Sequence, residues 1–89
     1  MIEYQDRKDF IGFYMYKKVQ IKITTEYITL GQFLKLADII QSGGEAKAFL
    51  KSNSLIVNGE DENRRGKKLR DGDEISFEGI TYIIQNSWL

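Results

Sequence analysis

The sequence predicts an α+β domain in which two short helices pack on one face of a small, mostly antiparallel β-sheet. Three observations predict this class: an alternating strand pattern near the start, two stretches with helical spacing after it, and several short strand patterns separated by turn residues. The chain has 89 residues, which is the length of one domain with a small core.

The first regular element is a strand at residues 19–24, where apolar and polar side chains alternate. Val19, Ile21 and Ile23 should face the core. Met15 is a candidate native start, because this pattern begins soon after it.

On that interpretation, residues 1–14 are an extension from an upstream start codon, and residues 15–89 form a single domain. The alternative is that the first residues form a short helix or strand that covers one edge of the core.

Two capping motifs predict where the helices begin. Thr29, with Gln32 three residues later, is a capping box, and an apolar stripe follows it at helical spacing. The stripe consists of Leu30, Phe33, Leu34, Ala37 and Ile40, widened by Leu36 and Ile39. Ser42 and Glu45 repeat the motif, so the first helix should end, and the second begin, at residues 42–44.

The second helix should bury Ala46, Phe49 and Leu50. Asn53 should end this helix in the left-handed conformation, which asparagine tolerates.

Turn residues divide the rest of the chain into short strands. Apolar residues 55–57 form one strand, a polar stretch runs over 60–70, and alternating patterns around 75–77 and 82–84 form two more. The predicted turns are Asn58-Gly59, Asp71-Gly72-Asp73 and Glu78-Gly79. The predicted core is Phe33, Leu34, Phe49, Leu50, Val57, Ile75 and Phe77. Trp88 should pack on the sheet edge.

The composition favours a binding module over an enzyme. The chain contains no Cys and no His, which excludes disulfides, thiol nucleophiles and imidazole bases or ligands. No apolar run is long enough to span a bilayer, so no membrane partner is expected. The missing thiols agree with a reducing cytoplasm.

The net charge is zero, but the charges are unevenly distributed. Residues 29–70 hold eight basic and five acidic groups, whereas residues 71–89 hold four acidic groups and no basic one. A neutral protein can therefore carry a basic face.

The densest charge cluster lies at residues 64–70, where five cations surround Gly66. These cations are Arg64, Arg65, Lys67, Lys68 and Arg70. A phosphate backbone would relieve their mutual repulsion, and the glycine would allow a ligand to approach closely. The alternative is a solvated loop whose cations pair with the acidic residues at 60–62.

Two further features favour an anion. Gly43 and Gly44 open the second helix, where backbone N–H groups can meet a phosphate, although an ordinary turn between helices has the same sequence. Lys35, Lys47 and Lys51 can converge beside them or remain separate solvated lysines.

Catalysis has weaker support. Asp71, Asp73 and Glu74 form an acidic group, but Asp-Gly-Asp is typical of a turn and lacks the spacing of a calcium loop. No nucleophile–base pair is visible, so no catalytic residue, metal or cofactor is predicted.

The stretch from Ile28 to Phe77 resembles the S4-type RNA-binding domain of ribosomal protein S4, bacterial tyrosyl-tRNA synthetases and pseudouridine synthases. The matching segments are Leu30-x-x-Phe33-Leu34, Ser42-Gly43-Gly44-Glu45-Ala46-Lys47-x-Phe49-Leu50, Leu55-Ile56-Val57-Asn58-Gly59 and Leu69-Arg70-Asp71-Gly72-Asp73-Glu74-Ile75. Residues 27–37 and 63–69 are more similar still to the YaaA-type branch, which comprises small stand-alone proteins of Gram-positive bacteria.

This resemblance implies a helix-helix-strand unit, the S4-like or alpha-L motif, whose basic face binds structured RNA. In the wider family an arginine often opens the first helix and a Ser-Arg pair precedes the second. Thr29 and Ser42-Gly43 stand at those positions here. We therefore expect the phosphate contacts to shift toward Lys47, Lys51 and the loop at 64–70.

Residues 57–60 and 69–75 also resemble the small sulfur-carrier proteins of the ubiquitin-like grasp fold. Those carriers need a Gly-Gly carboxy terminus, and this chain ends Asn86-Ser87-Trp88-Leu89. A grasp-like domain that carries no sulfur remains an alternative.

We predict a non-catalytic RNA-binding protein of the bacterial cytoplasm that recognises structured RNA, expected to be ribosomal, and acts in ribosome assembly. The predicted RNA-binding residues are Lys35, Lys47, Lys51, Arg64, Arg65, Lys67, Lys68, Arg70, Gly43 and Gly44. The alternative hypothesis, from another functional class, is a protein-interaction module in which Tyr14, Tyr16 and Trp88 form an exposed apolar patch.

Overall fold

The computed structural model describes residues 17–87. Seven strands and two α-helices follow one another in this part of the chain. They are β1 (Lys17–Ile23), β2 (Tyr27–Thr29), α1 (Leu30–Leu36), α2 (Ala46–Ser52), β3 (Leu55–Val57), β4 (Glu60–Glu62), β5 (Lys68–Arg70), β6 (Glu74–Phe77) and β7 (Ile80–Asn86). A 3₁₀-helical turn, Gly43–Glu45, leads directly into α2.

The strands form two sheets. The larger has the order β1-β7-β6-β3-β4, and the smaller pairs β2 with β5. Every pair is antiparallel except β1 with β7, which is parallel. The predicted architecture is confirmed, since two short helices pack on a mostly antiparallel sheet.

The sequence did not reveal β4 and β5, which lie within the polar stretch at 60–70. Their pairing is made by the backbone, so it needs no apolar periodicity in the side chains. In β4 the side chains are acidic and largely exposed at the edge of the larger sheet. In β5 only Leu69 is buried.

Strand β1 follows the predicted pattern. Ile21 and Ile23 are buried, and Val19 is partly buried against the core. The strand pairs along its full length with β7, from Lys17 opposite Ile80 to Ile23 opposite Asn86.

The capping box at the start of α1 is confirmed. The Gln32 N–H donates to Thr29 Oγ1 at 3.2 Å, and the Thr29 N–H donates to Gln32 Oε1 at 2.8 Å. The predicted end of this helix at 42–44 was wrong, because α1 stops at Leu36.

The early stop comes from a left-handed residue. Asp38 has a φ of 60°, a region that aspartate tolerates better than most residues. The N–H groups of Ile39 and Ile40 then both donate to the Leu34 carbonyl, so the chain folds back over the end of the helix. Ile40 is still buried, but it reaches the core from a loop, and Leu36 is 55 % exposed.

The start of the second helical segment is also confirmed. The Glu45 carboxylate accepts hydrogen bonds from the N–H groups of Gln41 at 2.7 Å and Ser42 at 3.3 Å. The predicted left-handed Asn53 was wrong, because this residue is extended, with a φ of −138°. Its N–H and its side-chain amide both donate to the Phe49 carbonyl, which caps the helix without a positive φ.

The predicted turns are confirmed. Asn58 and Gly59 join β3 to β4 with φ values of 51° and 87°, as a two-residue hairpin turn requires. Glu78 and Gly79 join β6 to β7 with φ values of 51° and 81°. Gly72 has a φ of 89° in the turn between β5 and β6.

The core lies between the helices and the sheets. The largest fully buried side chains are Phe33, Leu30, Leu34, Leu55, Leu69, Ile75 and Ile84. The predicted core residues are buried except Phe49 and Phe77, which are partly buried and meet edge to face at the rim, with ring centroids 5.6 Å apart.

No helix within residues 17–87 is long and apolar enough to cross a membrane.

Two alanine substitutions on α1, one at a buried position and one at an exposed position, test this packing. Phe33 is fully buried and packs edge to face on Tyr82 at 5.1 Å, so Phe33→Ala should lower the free energy of unfolding by about 3–5 kcal/mol. Leu36→Ala should change it by less than about 1 kcal/mol, since Leu36 is largely exposed. Urea unfolding measures both, and equal losses would contradict the placement of the helix.

Candidate functional site

A cleft of about 450 Å³ lies between α1, the 3₁₀-helical turn and the loop at 64–67. We call it the basic cleft. Its walls are formed by Thr29, Gly31, Gln32, Lys35, Gly43, Ala46, Arg65 and Gly66. The structure thus brings together Lys35, Gly43 and Arg65, which come from three separate segments of the sequence. Two cations, Lys35 and Arg65, and no carboxylate line this cleft, an arrangement that favours a positive local potential.

Backbone hydrogen bonds fix the loop against the start of α1. The Leu30 N–H donates to the Lys67 carbonyl at 2.8 Å, and the Gly31 N–H donates to the Arg65 carbonyl at 3.0 Å. These first-turn N–H groups have no partner inside the helix, so the loop satisfies them. These two N–H groups are therefore not available to a ligand in the cleft.

Gly31 is a residue of this site that the sequence analysis missed. A Cβ at this position would lie 3.0 Å from Arg65 Cγ, which is closer than side chains normally pack. It would also meet the Arg65 carbonyl oxygen and the Ala46 Cβ, both at 3.5 Å. The signal in the sequence was a glycine inside a helical pattern, which costs stability unless a close approach requires it.

Gly43 and Gly44 behave differently. A Cβ built on either of them would meet nothing within 4 Å, so neither glycine is required by packing. Gly43 lines the basic cleft and leaves its mouth open, whereas Gly44 is not part of the lining.

Arg64 is held by an acidic partner. Its Nε and Nη2 donate to the two oxygens of Glu62 at 2.7 and 3.0 Å, and its backbone N–H donates to Glu62 Oε2 at 3.1 Å. These hydrogen bonds from Arg64 lower the pKa of Glu62 from its ordinary value of 4.5 to about 2, against a smaller opposing effect of burial. The same partner raises the pKa of Arg64. The alternative of an internally paired loop therefore holds for this one cation.

Lys68 and Arg70 lie on β5 and belong to a second surface. Lys68 Nζ lies 4.8 Å from the centroid of the Tyr27 ring, and Arg70 Cζ lies 5.1 Å from it. Arg70 also meets Glu26, with Nη1 and Oε2 3.3 Å apart. The basic run at 64–70 is therefore divided between two places.

Lys47 and Lys51 are exposed on α2, and neither lines the basic cleft. Lys67 is partly buried and contributes its carbonyl oxygen to the anchoring of α1. Within residues 17–87, no ion pair involves Lys35, Lys47, Lys51, Arg65 or Lys67.

The acidic turn is structural. Asp73 accepts hydrogen bonds from the Arg70 N–H at 2.8 Å and the Asn58 side chain at 3.1 Å, and Asp71 accepts one from the Asn86 N–H at 2.7 Å. The described part of the chain contains no group of acidic residues arranged to hold a metal ion.

Residues 1–14, Tyr16 and Trp88 lie outside the described residues, so the expectations about them stay predictions.

The chain is similar in sequence to known proteins. The family model described as "S4 domain" matches residues 21–85, which include all of α1, α2 and the basic cleft. The chain is 63 % identical over 60 residues to a Bacillus subtilis (strain 168) protein named "Probable ribosome maturation protein RlbA". The aligned region covers 67 % of this chain and 84 % of that relative. No solved structure matches the chain significantly.

The close approach at Gly31 can be tested with a matched pair of glycine variants. Gly31→Val should lower the free energy of unfolding by about 1–3 kcal/mol, because the new side chain pushes the loop off α1. Gly44→Val adds the same atoms into open space and should change stability by less than about 0.5 kcal/mol. Thermal unfolding of both variants measures this, and a harmless Gly31→Val would show that the loop is not closely packed.

The ion pair between Glu62 and Arg64 predicts a dependence on pH. A carboxylate whose pKa is lowered in the folded state stabilises the fold above its unfolded pKa, and this contribution disappears as the pH falls from about 4.5 to about 2. Glu62→Gln should lack this part of the acid-induced loss, while Glu60→Gln, at the other end of β4, should retain it. Urea midpoints over this pH range report the difference. Identical acid profiles for Glu62→Gln and the unaltered protein would refute the assignment.

Proposed function

Because the chain belongs to the S4 domain family, we propose that it is a non-catalytic RNA-binding protein that acts in ribosome maturation. The observation that carries this proposal is the basic cleft, where Lys35 and Arg65 converge with no carboxylate between them. The name of the Bacillus subtilis relative supports the ribosomal part of the proposal. The place of action would be the bacterial cytoplasm, where ribosomes mature.

The geometry suits recognition of an RNA backbone. Folded RNA is recognised mainly by its shape and by contacts to phosphates and 2′-hydroxyls. A cleft held rigid by backbone hydrogen bonds presents its cations at fixed positions, and an arginine can donate two parallel hydrogen bonds to one phosphate. We assign the central phosphate contacts to Arg65 and Lys35.

The remaining cations take outer positions in this proposal. Lys47, Lys51 and Lys67 form no salt bridge among residues 17–87, so they can turn toward a backbone that leaves the cleft. Gly43 and Gly44 leave open space at the mouth, so RNA can approach their backbone. Arg64 would have to exchange Glu62 for a phosphate, which makes it a weaker partner than its place in the sequence suggested.

A salt series on ribosomal RNA fragments tests the proposal. With roughly four to six phosphate contacts, log K should fall against log[salt] with a slope of about −3 to −5. The double variant Lys35→Gln/Arg65→Gln should make this slope shallower by roughly 1–2 and weaken binding several-fold to about a hundredfold at low salt. Filter binding or fluorescence anisotropy measures both quantities.

A control variant that loses the same number of cations elsewhere distinguishes the effect of the cleft on binding from the effect of net charge. Lys17→Gln/Lys18→Gln removes two cations from β1, which contributes nothing to the basic cleft, and should leave the slope nearly unchanged. Equal effects of the two double variants would show that the cleft is not the site. No binding at low salt would refute RNA binding, and a pull-down for a protein partner would then be the next experiment.

A further inference from the structure

A second cleft shares Gln32 with the basic cleft and has an aromatic residue in its lining. It has a volume of about 580 Å³ and is lined by Lys22, Ile23, Thr24, Thr25, Glu26, Tyr27, Ile28, Gln32 and Leu36. We call it the Tyr27 cleft. Gln32 lines both clefts, so the two are adjacent.

Tyr27 lines this cleft, and its ring also contacts two cations. Lys68 and Arg70 both lie over the ring, and both belong to β5, which pairs with β2 in the register Tyr27 opposite Arg70. The loop between β1 and β2, with Thr24, Thr25 and Glu26, lines the cleft together with Tyr27. Tyr27 as a whole residue is 36 % exposed, which is high for a large aromatic residue in a strand that contributes to the core.

The walls of the cleft suit a flat, partly apolar group. Ile28 and Leu36 provide apolar surface, and Leu36 is 55 % exposed although it stands on the helix that anchors the core. Gln32 uses its side-chain oxygen for the cap of α1, and its amide nitrogen has no partner within residues 17–87. A ligand with acceptor atoms in the plane of a ring would satisfy this donor.

We propose that the Tyr27 cleft receives one unpaired nucleobase of the RNA whose phosphates the basic cleft holds. A base stacks on an aromatic ring, and stacking of this kind needs a base that is free of its helix. Lys68 beside the ring can meet the phosphate of the same nucleotide, which an apolar peptide could not supply, and Arg70 can do so by exchanging Glu26 for the phosphate. The inference rests on the proposed function and specifies the RNA: a helix interrupted by at least one unpaired nucleotide.

Two RNA probes distinguish this inference from simple duplex binding. One is a blunt RNA duplex of about 16 base pairs, and the other is the same duplex with a single bulged fluorescent purine analogue. The bulged duplex should bind roughly 5- to 100-fold more tightly, because stacking of one base supplies that preference. Quenching of the analogue on binding reports that the base lies against a ring.

Variants at Tyr27 identify the ring. Tyr27→Leu should remove the preference for the bulge and the quenching, while Tyr27→Phe, which keeps the ring, should retain both. Lys35→Gln/Arg65→Gln should weaken binding of the two probes by equal factors. Circular dichroism and thermal unfolding of the Tyr27 variants verify that each is folded.

The outcomes separate this inference from the proposed function. Equal binding of both probes by the unaltered protein, or a bulge preference that survives Tyr27→Leu, would overturn the nucleobase assignment and leave RNA binding intact. Failure of both probes to bind at low salt, together with failure of ribosomal RNA fragments, would overturn both.

Discussion

The structure depends on the contact between the first turn of α1 and the loop at 64–67. Two backbone hydrogen bonds make this contact, and Gly31 suits it because a Cβ at this position would lie only 3.0 Å from Arg65 Cγ. Since the loop leads directly into β5, the same contact sets β5 beside β2 and carries Leu69 into the core. One constraint of the backbone therefore serves both the packing of the domain and the shape of the basic cleft.

The alternation of side chains in β5, the strand that follows the loop, divides the basic residues at 64–70 between two surfaces. Successive residues of a strand point to opposite faces, so Lys68 and Arg70 share one face and Leu69 takes the other. The face with Lys68 and Arg70 lies beside Tyr27, whereas Arg65 lies with Lys35 in the basic cleft. A segment with five cations in seven residues thus contributes to two different surfaces, to which we assign a phosphate and a nucleotide base as proposed ligands.

Two groups of charged side chains differ in their partners. One group has partners and stabilises the fold, and the other has none among the described residues and can bind a ligand. Glu62 holds Arg64 through both carboxylate oxygens, and Asp73 is occupied by the turn between β5 and β6. Lys35 and Arg65 have no such partner within residues 17–87. Unpaired cations that line one cleft repel each other, and binding an anion relieves that repulsion. This is the physical basis for proposing the basic cleft, rather than the whole basic run, as the RNA-binding site.

The sequence alone determined those features that depend on near neighbours in the chain. The capping box of Thr29 and Gln32, the hairpin turns at Asn58-Gly59 and Glu78-Gly79, and the alternation of β1 are all local, and the structure has them. Resemblance to the S4 family was likewise visible in the spacing of short segments. The tertiary structure decided what depends on distant partners: the end of α1 at Leu36, the strands β4 and β5, and the need for glycine at position 31. It also decided which cations meet, because Lys35 and Arg65 are thirty residues apart in the chain and only the anchored loop brings them to one cleft.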